Sequence, residues 1–236
     1  MAAYTDDFVN DETEELLSGY MIATDQYYRF NPYHPPLFKF LYGAALYFFN
    51  PNKNDNYHKF VKGNLVSNLP SQNQASAQFA KDFGGDGYLP ARVICLIATA
   101  VFMLVATLIL AKHFCYSVSL LWVLLVALNP TWLAHSHYAL LDVPASFFIF
   151  GCVYFLALWL SNLKVKALVI FTVLLTFGLL TKFSSLILIP CSILSAIFIA
   201  EGGFKRGNIL RQYSSEKNHG SDKCVFGYYT DEKAQT

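Results

Sequence analysis

The sequence predicts an all-α integral membrane protein: a polytopic bundle of about five transmembrane helices with an N-terminal outer loop that carries an interfacial helix. Three observations lead there. Hydrophobic residues make up 55% of the chain against 14% charged, and they are gathered into blocks rather than spread evenly. Uncharged runs cover Val93–Ala111, Phe114–Ala134, Val143–Leu163, Ala167–Thr181 and Phe183–Ala200. A hydrocarbon core about 30 Å thick needs roughly 17–25 apolar residues as helix. The first three runs reach that length and the last two are marginal individually. Because a helix satisfies its backbone hydrogen bonds within one segment, these runs read as helices rather than strands.

Three regions follow: an outer loop region over 1–91, a transmembrane bundle over 92–200, and a polar, flexible tail over 201–236. Within the first, thirteen residues from Leu37 to Phe49 are too few to cross a bilayer but suit a helix lying in its surface, over about 36–49. Residues 50–89 are rich in Asn, Gln, Ser, Lys and Asp and contain Gly84-Gly85-Asp86-Gly87, which reads as a loop. The net charge of +1 and the lack of a basic cluster argue against a nucleic-acid partner. Cys95, Cys115, Cys152 and Cys191 lie within or beside apolar runs, where a thiol behaves as a small hydrophobe. There is no zinc-ligand spacing or disulfide framework.

Cations orient the bundle. Lys112 and His113 follow the first run, Lys164 and Lys166 the third, and Lys205, Arg206 and Arg211 the fifth. Single crossings put these groups on one face, which the positive-inside rule makes cytoplasmic. The other face receives residues 1–92, the link His135–Asp142, and Lys182. One helix from Ala167 to Ala200 is the alternative, but at 1.5 Å per residue it would be about 50 Å long and would split the Lys groups between faces. Two short spans turning at Lys182 is the preferred reading. This orientation places a long polar segment outside with no apolar leader before it. Either the orientation is inverted or a preceding span is missing from the chain.

Charged groups beside the spans are the candidates for chemistry, since burying them there is costly unless they are partnered. On the outer face they are Asp11, Glu12, His34, Lys39, Arg92, His135, His137, Asp142 and Lys182. Each has a structural reading. Asp11 could cap a helix starting at Thr13, and His34-Pro35-Pro36 could be a rigid helix start. Asp142 before Val143-Pro144 makes a good cap, and Arg92 and Lys182 could snorkel to headgroups. His135-Ser136-His137 with Asp142 suggests a divalent metal, although rings two residues apart diverge at a helix end.

In sequence order these fragments resemble a known family. Asp11-Glu12, Ser18-Gly19-Tyr20 and Tyr28-Arg29-Phe30-Asn31-Pro32-Tyr33-His34-Pro35-Pro36-Leu37-Phe38-Lys39 look like the first outer loop of polytopic C-superfamily glycosyltransferases. The nearest branch resembles the dolichyl-phosphate-mannose protein mannosyltransferases and their bacterial relatives, including the lipid A aminoarabinose transferases. Arg92, Leu133–Pro144 and Gly178–Ser184 continue the likeness, over about residues 8–200. Tyr33 stands where bacterial relatives often carry a carboxylate.

The resemblance implies inverting transfer of a sugar from a polyprenyl-phosphate donor to a protein or lipid acceptor on the extracytoplasmic side. The membrane would be the plasma or inner membrane of a bacterium, or the endoplasmic reticulum of a eukaryote. It assigns Asp11 and Glu12 to catalysis, with Asp11 the general base. His34, Lys39, Arg92, Asp142 and Lys182 would bind the lipid phosphate and substrate. The family begins with a transmembrane helix, so the chain looks like a fragment or truncated gene model. Two other readings stand beside an active enzyme: an inactive truncated membrane protein, and a transporter.

Overall fold

A computed structural model of the chain describes residues 10–25, 30–52, 72–114 and 116–200, and these are helical throughout, with short turns and links. The expected tail at 201–236 and the stretch 53–71 lie outside the described residues. Nine α-helices are used below: α1 Asn10–Asp25, α2 Pro36–Phe49, α3 Gln72–Phe83, α4 Leu89–His113, α5 Tyr116–Ala127, α6 Pro130–His137, α7 Asp142–Asn162, α8 Val165–Thr181 and α9 Leu188–Ala200. Short 3₁₀ turns at Gly85–Tyr88 and Phe183–Ile187 lead into α4 and α9.

Among the described residues two helices are long and apolar enough to cross a membrane, Gly85–His113 and Asp142–Ser161. Their outward residues, among them Ile97, Leu104, Leu108 and Val153, are exposed apolar side chains, as a lipid environment favours. The expected second span, Phe114–Ala134, is broken: α5 and α6 meet at a bend of 70°. Proline explains the break. Pro130 has no N–H to give and takes the first turn of a new helix, and Asn129 caps that helix by accepting from the Trp132 amide at 3.0 Å. Together the bent pair is long enough for a third crossing; Val165–Thr181 and Phe183–Phe198 are apolar but shorter.

Lys182 interrupts the last apolar stretch, as expected. It is extended (φ −151°, ψ 133°), ending α8 before the 3₁₀ turn. Leu188 then packs with Cys152 of α7 and Phe171 of α8, so the chain returns along the bundle.

Helices α1, α2 and α3 form a cap over one end of this bundle. Leu16, Leu17, Tyr20 and Met21 of α1, Tyr42 and Leu46 of α2, and Phe79 and Phe83 of α3 make one buried cluster with Ala91 and Cys95 of α4 and Ala139 and Leu141 of the α6–α7 link. The helix α3 corrects the expected loop over 50–89. Ala75, Phe79 and Phe83 recur four residues apart on one face, and Phe79 and Phe83 pack against Tyr20 with ring centroids 6.1 and 5.2 Å away. The polar residues between them hide that stripe.

α1 and α2 cross backbone to backbone. A Cβ built on Gly19 would overlap the Lys39 carbonyl, and one on Gly43 would overlap the Gly19 carbonyl. Only two glycines permit this approach. Gly19→Ala is expected to force the helices apart and destabilise the protein by about 1–3 kcal/mol, the usual cost of overpacking. Gly151→Ala should cost less, because the added methyl meets only the movable Leu174 side chain. Thermal unfolding of both variants in detergent measures the difference.

Candidate active site

One end of the bundle gathers the charged candidates. α4 and α7 begin there and α6 and α8 finish there, while Lys112, Lys164 and Lys166 mark the opposite helix ends. Two charged groupings lie at this end, one sealed and one partly open.

The sealed grouping is centred on Glu12, which is completely buried. Arg92 donates from Nε to Glu12 Oε1 at 2.9 Å and from Nη2 to Oε2 at 2.8 Å, and the Ala139 amide donates to Oε1 at 2.8 Å. The guanidinium lies over the Tyr88 and Tyr138 rings, 5.9 and 5.1 Å from their centroids. Arg92 is 2% exposed, so it does not snorkel. A parallel two-bond pairing is the strongest geometry available to these groups, and it fixes α1, α4 and the α6–α7 link to one another.

The second grouping spans α1, α2 and the helix ends. Asp11 lies in the first turn of α1, which starts at Asn10 rather than at Thr13, so Asp11 is exposed inside the helix instead of preceding it as a cap. Asp142 is likewise the first helical residue of α7, not its cap. Its carboxylate pairs through Oδ1 with Lys182 and faces His135 Nδ1 from Oδ2 at 3.3 Å. Lys39 is buried, donates to the Asn31 carbonyl at 2.8 Å, and lies 3.2 Å from Glu15 Oε2. His34 Nε2 is 3.7 Å from Glu15 Oε1.

Burial governs the charge states. It pushes the Glu15 carboxyl up to about 7, against the lowering pull of Lys39. It also holds Lys39 below the ordinary lysine value, opposed by Glu15. His34 is pulled below the usual histidine value by burial and then by Lys39 and Lys182.

Glu15 is a buried acid of this grouping that the sequence analysis did not single out. A signal was present: Asp11, Glu15 and Gly19 are four residues apart and share the helix face that meets α2. His137 turns away from Asp142. Its Nδ1 donates to the Leu133 carbonyl at 2.6 Å, so the two histidines diverge. Among the described residues no three His, Cys, Asp or Glu side chains form a group that could hold a metal ion.

Beside His135 and Asp142 an open groove of about 710 Å³ runs between the bent pair α5–α6 and α7, walled by Leu125, Val126, Trp132 and Val143. Charge at one end and apolar walls along its length suit an amphiphile better than a free polar solute.

The Glu12–Arg92 pair yields a direct stability prediction. Arg92→Met alone should cost about 3–5 kcal/mol, because Glu12 is left buried and unpaired. Adding Glu12→Gln should recover part of that loss, and a double-mutant cycle on unfolding measures the coupling.

Residues 76–212 match the model of a family described as Dolichyl-phosphate-mannose-protein mannosyltransferase. No curated protein and no solved structure matches the chain.

Proposed function

The chain belongs to the dolichyl-phosphate-mannose-protein mannosyltransferase family, membrane glycosyltransferases of the mannosyltransferase type, and we propose that it moves a sugar from a polyprenyl-phosphate donor to an acceptor hydroxyl outside the cytoplasm, inverting the anomeric centre. The observation that carries this reading is the Asp142–Lys182 pair, with His135 on the second carboxylate oxygen, at one end of an apolar bundle whose cap also bears the exposed acid Asp11. Transfer of this kind needs a base for the acceptor hydroxyl and a positive site for the departing phosphate, side by side at the membrane surface.

Asp11 is the base. It is exposed in the first turn of α1 and within the electrostatic reach of His34. Lys182 receives the lipid phosphate: in the resting protein its ammonium is held by Asp142, whose second oxygen faces His135. Glu12 and Arg92 act through position. Their charges are spent on each other, and the Glu12 carboxylate also anchors Ala139, three residues before Asp142. Lys39 supports the site from below through Glu15 and the Asn31 carbonyl. The groove walled by Trp132 and Val143 gives the prenyl chain an apolar path to the charged end. The exposed Phe40, Phe48 and Phe49 of α2 dip into the headgroup region of the outer leaflet.

General-base assistance is typically worth about 10²–10⁴ in rate. Asp11→Asn should therefore cut transfer at least about a hundredfold at matched protein levels in membranes, with unchanged thermal stability. Near-normal turnover in that variant would remove Asp11 from the mechanism.

A further inference from the structure

Phe102 lies behind the groove rather than in its wall. Its side chain, in the middle of α4, is only 5% exposed. Four aromatic rings surround it: Trp122 of α5 with ring centroids 6.4 Å apart, Trp132 of α6 at 5.3 Å, and Phe147 and Phe150 of α7 at 5.9 and 5.7 Å. Those four are half-buried, so Phe102 is the inner ring of the set. It belongs to neither of the buried clusters described above, the one in the cap or the one around Cys152. Its ring contacts are with the three helices that wall the groove.

Those contacts reach both sides. On one side, Trp132 lines the groove and also packs on Phe102. On the other, Val143 and Ser146 line it, and Phe147 and Phe150 continue the same face of α7 at helical spacing. α6 has only 8 residues and leaves α5 at 70°, so side-chain packing has a large share in holding it against α7. A stiff ring suits that task, because it meets its neighbours at defined angles. Three of the four pairs are edge-on, with interplanar angles of 81°, 71° and 65°.

We propose that Phe102 is a positioning residue for the donor: through Trp132 and the Val143 face of α7, it holds the groove at the width that accepts the prenyl chain. This deepens the transferase reading and rests on it for the identity of the chain. Phe102 is remote from Asp11 and Lys182 in role, so its removal acts on donor binding and spares the chemical step. A phenylalanine that only filled space would change the amount of folded protein and leave the donor KM where it was.

The test compares Phe102→Ala and Phe102→Leu in the full chain, in membranes at matched protein levels. Phe102→Ala should raise the donor KM about two- to tenfold, the worth of one aromatic contact. The acceptor KM and kcat should stay close to the wild type, as when binding is lost equally from ground and transition states. Phe102→Leu keeps apolar bulk without the ring and should show a smaller rise; it carries the test if Phe102→Ala does not fold. In a Trp132→Ala background, Phe102→Ala should add less than it does alone, because it acts partly through that ring. A second measurement needs no transfer. With Trp122→Phe and Trp159→Phe, Trp132 is the remaining tryptophan, and its emission should change saturably as a sugar-free polyprenyl phosphate is added to the solubilised protein. Phe102→Ala should raise that Kd by the same factor as the donor KM. Unchanged donor KM and polyprenyl phosphate Kd in the folded variants, both KM values and kcat shifting together, or no saturable emission change at all, each overturns the proposal. If the wild type transfers no sugar, the transferase reading fails by itself, and the Kd comparison still decides whether Phe102 governs the groove.

Discussion

The buried pair between Glu12 and Arg92 is the constraint on which the arrangement depends. Eighty residues separate the two in sequence, and neither is tolerable alone where it lies: removing a charge from water costs several kcal/mol even after relaxation. Together, with both guanidinium bonds made and the Ala139 amide on the same carboxylate, the cost is offset. The geometry that offsets it is demanding. α1 must lie across the start of α4, and the chain leaving α6 must pass close enough to donate a backbone hydrogen. Those two requirements set where Asp11, one residue before Glu12, and Asp142, three after Ala139, can be.

The glycine crossing supplies the second constraint. Because Gly19 and Gly43 bring two helix backbones into contact, Lys39 is carried under Glu15, and the turn at 30–35 is brought back over α1. Ser18 donates to the Phe30 carbonyl at 3.0 Å and Tyr42 donates to the Leu140 carbonyl at 2.9 Å, tying both ends of that unit. The result is a polar cap, rigidly packed over one end of a bundle whose sides are apolar and exposed. A site built this way sits at one end of the apolar helices, where the transfer proposed above needs it.

Much of this was legible in the sequence, and the failures have definite causes. The uncharged runs gave the helices because length and apolar content are local properties, and Lys182 gave the break because a charge rarely continues a span. The grouping of Asp11, Glu12, His34, Arg92, Asp142 and Lys182 at one end followed from alternating the spans. The partners did not follow. Nothing local distinguishes Asp11, exposed, from Glu12, buried, since that depends on which face of α1 meets Arg92. Asp142 looked like a cap because helix ends are uncertain by a residue or two, and one residue turns a cap into a first-turn carboxylate free to reach Lys182. The bend at Asn129-Pro130 was hidden by apolar residues on both sides. The helix at Gln72–Phe83 was hidden by polar ones, its stripe being only one residue in four.

The central claim is that acids and cations from separate stretches of the chain touch at one end of the bundle. Zero-length carbodiimide cross-linking in native membranes, read by mass spectrometry of the peptides, tests it without any substitution. An amide link is expected between Asp142 and Lys182, with Lys112, Lys164 and Lys166 linked to neither Asp142 nor Asp11. Failure to link Asp142 to Lys182, or linkage of Lys164 or Lys166 to Asp11 or Asp142, would contradict it.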